Sequence, residues 1–259
     1  MNALIGDIGN TITKVCLIDV KSFKVTKVIQ FSSRRITSTT FLKKELKKIV
    51  NHKSINKIAL FSSVVPKYKH KLGKFFIKVY KIKLIELKES KIKKIVKINI
   101  KNKNQVGSDR IANAAGVFKK YRSNCVVLDF GTATTFDVIY KNGIYNGGII
   151  APGLNLSIKS LINSADQIPE FLIKKQKHII GKNTIEALRS GFYWGYTGLI
   201  NNIISKIEKE TKKKFKIVFT GGYANLFKTS ITRSFTVDKN ITINGIIEIF
   251  KENKNYLIK

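Results

Sequence analysis

Asp7-Ile8-Gly9-Asn10-Thr11-Ile12-Thr13 recurs later in the chain as Asp129-Phe130-Gly131-Thr132-Ala133-Thr134-Thr135. Each copy follows a short apolar run (residues 3–6 and 126–128) and precedes another (15–20 and 136–140). That pattern reads as strand, Gly-rich hairpin, strand, with a carboxylate at the end of the first strand. A small loop of Gly, Asn and Thr offers N–H and hydroxyl donors to a phosphate, and an Asp beside it suits the accompanying cation. Taken alone, one copy is also an ordinary turn with Asn in it. Two copies facing each other would form a cleft with a phosphate loop on each wall.

The acidic residues sharpen this reading. The chain of 259 residues has a net charge of +33, yet only seven aspartates: Asp7, Asp19, Asp109, Asp129, Asp137, Asp166 and Asp238. Four of them lie in or beside Gly/Thr-rich segments, where a lysine-rich protein has no need of them for solubility. The positive excess is spread along the whole chain, on helix faces such as Lys43, Lys44, Lys47 and Lys48, and forms no basic tail. This even spread argues against a dedicated nucleic-acid-binding element. It would still draw anionic ligands toward the surface.

Other classes fall away. No run of 18 apolar residues suggests a membrane span, and the N-terminus enters a strand without a signal-peptide pattern, so a cytoplasmic protein is expected. Cys16 and Cys125 sit in apolar strand-like runs and read as buried free thiols. His52, His70 and His178 lack metal-ligand spacing. Neither a Walker phosphate loop nor a Rossmann glycine fingerprint occurs.

Along the chain, strands are expected at residues 3–7, 13–20, 24–31, 57–62 and 82–87, and helices at 39–51, 67–79 and 111–121. Residues 95–105 read as a polar, irregular loop. The second half repeats the plan with strands at 125–129 and 135–140, and a third extended segment starts at Gly143. Gly147-Gly148 through Pro152-Gly153 reads as a breaker-rich turn opening a helix that ends near Asn163. The longest helical stretch, 184–209, is interrupted by Gly191, Gly195 and Gly198, whose spacing permits close approach of another helix or a ligand. A strand at 215–219 stops at Thr220-Gly221-Gly222, and an amphipathic helix at 241–251 closes the chain. Strands alternating with helices imply an α/β fold, and the three-strand opening of each half implies mixed sheets. The expected lobes are 1–120 and 121–259.

Gly107-Ser108-Asp109-Arg110 stands at a loop-to-helix junction. An Asp there is often only a helix cap. Paired with Arg110, it is also a carboxylate able to take a hydroxyl proton beside a guanidinium able to grip an acid group. Asp137, alternating with apolar neighbours, reads equally as structural or functional.

The two loops and the late Thr220-Gly221-Gly222 turn resemble the superfamily of actin and sugar kinases. That likeness implies two ribonuclease-H-like lobes of mixed β-sheet with flanking helices and an ATP cleft between them. Six ordered motifs narrow it: Asp7-x-Gly9-Asn10-Thr11, Gly107-x-Asp109-Arg110, Asp129-x-Gly131-Thr132, Gly147-Gly148-x-Ile150-x-Pro152-Gly153, Gly181-Lys182-Asn183-Thr184 and Thr220-Gly221-Gly222. Together they are similar to type III pantothenate kinases over nearly the whole chain. The resemblance implies ATP-dependent phosphorylation of pantothenate, the first step toward coenzyme A.

It further implies that Asp7, Ile8, Gly9, Asn10, Thr11, Ile12, Thr13 and Lys14 form an ATP phosphate loop, with Asp7 near Mg²⁺. Thr132, Gly221 and Gly222 would contact ATP, and Asp129 would bind a monovalent cation, K⁺ or NH₄⁺. Gly107, Ser108, Asp109 and Arg110 would meet pantothenate, with Asp109 as general base and Arg110 on the substrate carboxylate. Thr184 would reach pantothenate from the neighbouring subunit of a homodimer. The aromatic and Asn-Pro usual before Gly107 are missing; Ile100 and Lys103 stand near those places. The alternatives are a nucleic-acid-binding transcriptional accessory factor of the same family, or a kinase of another small hydroxy acid.

Overall fold

A computed structural model describes residues 1–50 and 55–258; Asn51, where the first helix was expected to end, and His52 lie outside them. The chain divides into two units. The first holds Met1–Arg122, Asn142–Tyr145 and the chain from Asn240 onward. It opens with β1 (Asn2–Ile8), β2 (Ile12–Asp19) and β3 (Val25–Ser32), an antiparallel meander. After α1 (Thr39–Lys47) come β4 (Ile58–Ser63), α2 (Pro66–Tyr80) and β5 (Lys83–Glu86). The sheet order is β3-β2-β1-β4-β5, with β1, β4 and β5 parallel. β1 and β4 are buried at nearly every position, as strands covered on both faces must be, whereas the edge strand β3 is mostly exposed.

Local chemistry places the helices. Ser38 caps α1 by accepting the Phe41 N–H, and Pro66 starts α2, where its missing N–H costs nothing. The expected loop at 95–105 is more ordered than its polarity suggested. Ile95 and Val96 are buried, and β6 (Lys97–Ile98) pairs with the start of a later strand, so tertiary pairing overrides composition there. A 3₁₀ turn at Lys103–Gln105 leads into α3 (Ser108–Tyr121).

The second unit repeats the order. It contains β7 (Cys125–Phe130), β8 (Ala133–Ile139), β9 (Ile144–Pro152, its first residues belonging to the first unit), α4 (Leu154–Ser164), α5 (Thr184–Thr211), β10 (Lys216–Gly221) and β11 (Phe235–Val237). These strands run β9-β8-β7-β10-β11, with β7 and β8 antiparallel and β7, β10 and β11 parallel. A mixed α/β fold of two sheet-centred units is therefore present.

Two expectations change here. Gly147-Gly148 is not a turn: β9 runs straight through it, and Gly147 has φ +92°, a conformation that favours glycine. α5 is unbroken, and a Cβ added at Gly191, Gly195 or Gly198 would meet open space within this chain. β11 and the last helix, α7 below, were not foreseen.

The chain then returns to the first unit with α6 (Ile241–Glu252) and α7 (Lys254–Leu257). α6 crosses α3 where Gly116 and Gly245 leave no room for a Cβ against the opposing backbone, and Thr242 Oγ1 donates to Asn113 Oδ1 at 2.7 Å. The small-residue face of α3 (Ala112, Ala115, Gly116) is thus a helix-packing surface. Both cysteines are buried free thiols, as expected.

Candidate active site

In the first unit, the parallel strands β1, β4 and β5 bring Asp7, Ser62-Ser63 and Glu86 to one sheet edge, at their C-terminal ends. Ligands bind outside this edge in open α/β sheets. The β1–β2 hairpin closes through Gly9 N–H to Ile12 O at 3.0 Å, leaving Asn10, Thr11 and Ile12 exposed at its tip. Asp7 is half-buried opposite Lys14 in the ladder, while Ile8 and Thr13 point into the interior.

Ser33, which sequence reading passed over, locks this loop. Its hydroxyl donates to Gly9 O at 2.7 Å and its N–H donates to Thr11 O at 2.9 Å. That leaves the Thr13 hydroxyl to donate to Ser33 Oγ at 2.8 Å. The exposed tip therefore stands on a fixed base, so its donors are held before any ligand arrives.

Ser108 does the corresponding work for α3. Its hydroxyl accepts the Ser63 N–H and donates to Ser63 O, both at 2.8 Å, which ties the first turn of α3 to the end of β4. Asp109 follows, with Oδ1 accepting the Arg110 N–H at 2.8 Å. A Cβ on Gly107 would overlap Asp109 Oδ1, so any side chain there would push the carboxylate from this position. Burial pushes the Asp109 carboxyl above the usual aspartate range, opposed by the Arg110 N–H and charge, by its own N–H and by Lys88. The Arg110 guanidinium lies over the buried ring of Tyr145, 5.7 Å from its centroid. Ile100 is half-buried in the segment before Gly107, where Asn102 Oδ1 accepts the Asn104 N–H at 3.2 Å.

In the second unit, the β7–β8 hairpin closes through Gly131 N–H to Ala133 O at 3.1 Å and exposes Gly131 and Thr132. The Thr220-Gly221-Gly222 turn packs directly on it. Gly221, at φ +85°, would drive a Cβ into Phe130 N and O (2.6 Å each) and Asp129 Oδ1 (2.7 Å), and Gly222 N–H donates to Phe130 O at 3.1 Å. Gly153 seats the start of α4 against Thr132 O, with no space for a side chain. Asp129, Thr132, Gly221 and Gly222 are therefore brought together in one unit. Asp137 is fully buried on β8.

Thr184 occupies a different feature. Asn183 caps α5 through its side chain to the Glu186 N–H (2.9 Å), and Glu186 reaches back to the Lys182 N–H (2.9 Å), a reciprocal cap. Thr184 then lines a groove of about 410 Å³ with Leu161, Ala187, Leu188, Gly191 and Phe192.

Among the described residues, no cluster of three or more His, Cys, Asp or Glu side chains is placed to hold a metal. A single carboxylate beside a loop of donors is instead the donor set of a cation carried by phosphate oxygens and water, the usual state of Mg²⁺ bound to a nucleotide. Asp7 and Asp129 both fit that pattern.

Residues 3–206 match the family model described as type III pantothenate kinase. A type III pantothenate kinase from Pelagibacter ubique (strain HTCC1062) is 50% identical over 244 residues, which cover 94% of this chain and 96% of that one. Among solved structures, a Baf-family protein from Campylobacter jejuni, named for transcriptional activation, aligns with a TM-score of 0.62 at 21% identity, covering 97% of this chain and 99% of that one. A protein from Sinorhizobium meliloti named for 2-dehydro-3-deoxygalactonokinase aligns at 0.61 and 10% identity, covering 98% and 99%. These two structural likenesses concern the fold.

Proposed function

This chain belongs to the type III pantothenate kinase family and phosphorylates pantothenate with ATP, and from that premise we propose how its residues divide the reaction. Asp109 takes the proton of the acceptor hydroxyl as it attacks the terminal phosphoryl group, and Arg110 grips the pantothenate carboxylate. The observation that supports this assignment is the Ser108–Ser63 tie, which holds the first turn of α3, where Asp109 and Arg110 stand, at the C-terminal end of β4. Phosphoryl transfer has a loose transition state, so positioning and charge neutralisation dominate its catalysis. A base held this way contributes on the order of 10²–10⁴-fold.

The hairpin from Asp7 to Lys14 binds ATP phosphates through its exposed tip, and Asp7 holds Mg²⁺ directly or through water. Bound with ATP, that ion supplies neutralising charge at the phosphate oxygens. Thr132, Gly221 and Gly222 serve the nucleotide in the second unit, and Asp129 holds K⁺ or NH₄⁺. Ile100 and Gly107 border the pantothenate.

The working form is a homodimer in which Thr184 meets the pantothenate of the neighbouring subunit. Its support is the exposed apolar surface around the α4–α5 groove: Leu156, Leu161 and Ile185, with Gly191, Gly195 and Gly198 on the open face of α5. The location is cytoplasmic; no described helix is long and apolar enough to cross a membrane. Neither a nucleic-acid-binding role nor another hydroxy acid substrate is favoured by the family assignment.

A coupled assay of ADP release tests the reading. ADP should appear only with pantothenate present, and exchanging K⁺ for Na⁺ should lower the rate. Equal rates in the two salts would remove the monovalent-cation role of Asp129.

A further inference from the structure

Glu86, the last residue of β5, and Lys88, in the turn that follows, are two charged residues that the assignment above does not use. Glu86 is only 9% exposed, and its Oε2 accepts the Lys88 N–H at 2.9 Å. The Ser108 hydroxyl beside it donates its one proton to Ser63 O, and Glu86 Oε1 has no hydrogen-bond donor among the described residues. Burial accordingly pushes the Glu86 carboxyl up, while the Lys88 N–H and the Lys88 and Lys69 charges favour its ionised form.

Lys88 leaves this turn in the other direction. Its Nζ donates to Asn104 O at 3.1 Å, inside the 3₁₀ turn that ends two residues before Gly107. The segment from Lys97 to Gly107 contains no proline to stiffen it. Its start is stitched to the chain at Gly143 and Tyr145 by the Lys97 and Asn99 N–H groups, at 3.0 and 2.9 Å. Asn102 braces it from within, and Lys88 holds it from outside. The same ammonium favours the charged form of both Glu86 and Asp109.

We propose that Lys88 is a positioning residue for phosphoryl transfer: by holding the Asn104 carbonyl it fixes the segment that delivers Asp109 and Arg110 to the acceptor. The proposal rests on the assignment of those two residues to base and carboxylate grip. Lys88 touches no reacting atom; it acts through the loop and through the field at Asp109, which it shares with Arg110.

Lys88→Met keeps the aliphatic stem and removes the donor and the charge, and Lys88→Arg restores both. Lys88→Met should raise the KM for pantothenate by roughly two- to tenfold, the scale of one lost hydrogen bond, with the KM for ATP unchanged. The acidic limb of its kcat/KM profile should move to higher pH, and Lys88→Arg should return both toward wild type. Hydrogen–deuterium exchange of the peptide covering residues 99–107 should quicken in Lys88→Met without any turnover being measured. Wild-type exchange together with a wild-type pantothenate KM in Lys88→Met would overturn the proposal. So would a lowered Tm with both KM values rising together, the signature of a merely structural residue. If the Asp109 assignment were wrong, Asp109→Asn would turn over normally, while the exchange result would still decide the role of Lys88.

Discussion

The guanidinium of Arg110 rests on Tyr145, a ring that is 1% exposed and contributed by a strand far along the chain from α3. A buried aromatic face orients a guanidinium stacked against it. Tyr145 is itself anchored, because its carbonyl accepts the Asn99 N–H at 2.9 Å. The segment before Gly107 and the residue beneath Arg110 are thereby parts of one assembly. Anything that shifts Tyr145 moves the group assigned to the substrate's acid end.

Tyr145→Leu keeps the burial but removes the π face, so the loss falls on the orientation of Arg110. A cation–π contact contributes about 0.5–2 kcal/mol, which corresponds to a rise of roughly two- to thirtyfold in the KM for pantothenate. The KM for ATP should stay put, and Tyr145→Phe, which keeps the ring, should raise the pantothenate KM less than Tyr145→Leu does. Steady-state kinetics in both substrates check it; equal increases in the two KM values would mean that the ring is simply core.

Asp109→Asn should lower kcat by about 10²–10⁴-fold while leaving the fold intact. Because burial raises the folded-state pKa of Asp109, the acidic limb of the wild-type rate profile should lie above the ordinary aspartate range and be absent from the residual rate of the variant. The same shift has a consequence for stability. A raised folded pKa favours the protonated form in the fold, so this contribution is fully present below the unfolded pKa and is lost as pH rises through the folded value. Thermal melts should therefore coincide at low pH, with Asp109→Asn the more stable protein near neutrality. A wild-type advantage at neutral pH would contradict the buried-carboxylate account.

Both hairpins were legible in the sequence because their information is local: Gly, Asn and Thr between apolar runs specify a tight turn wherever they fall. The place of Asp109 and Arg110 at a helix start was legible for a similar reason. Ser33 was not, since it joins the first loop from 24 residues away through tertiary hydrogen bonds. The contacts of Tyr145 with Arg110 and of Lys88 with the Asn104 carbonyl likewise are tertiary and no local pattern announces them. Gly147-Gly148 shows the opposite case. Two glycines read locally as a turn, yet the neighbouring strands extend β9 through them, and the positive φ of Gly147 accounts for the residue type. The α5 side of the groove holding Thr184 does follow helical spacing (Thr184, Ala187, Leu188, Gly191, Phe192), but its other wall is Leu161 of α4, which only tertiary packing brings there.

Gly221→Ala meets two separate obstacles. Its φ of +85° disfavours any side chain, and the new Cβ would press on the Phe130 backbone and the Asp129 carboxylate. Strain of this kind costs on the order of 1–3 kcal/mol. Urea unfolding should show that loss with an unchanged m-value, and the KM for ATP should rise because Asp129 and Thr132 share the same hairpin. Gly222→Ala, whose Cβ would come no nearer than 3.9 Å to Phe130 O, should be nearly neutral. Equal destabilisation by the two substitutions would show that the turn yields, and that Gly221 holds nothing in place.

The shared-site reading makes a prediction that no single variant can imitate. If each site takes Asp109 from one subunit and Thr184 from its partner, Asp109→Asn and Thr184→Arg homodimers are each inactive at both sites. Refolded as an equal mixture, half of the dimers are mixed, and each mixed dimer has one site with both native residues and one with neither. About a quarter of wild-type activity should then return, as two-fold symmetry requires. Sedimentation at assay concentration should show a dimer throughout, because Thr184 is exposed at the rim of the α4–α5 groove, where its replacement leaves Leu161 and Phe192 in place. Absence of recovered activity from a demonstrably mixed dimer would return Thr184 to the subunit that carries it and leave Asp109 and Arg110 to bind pantothenate without the partner.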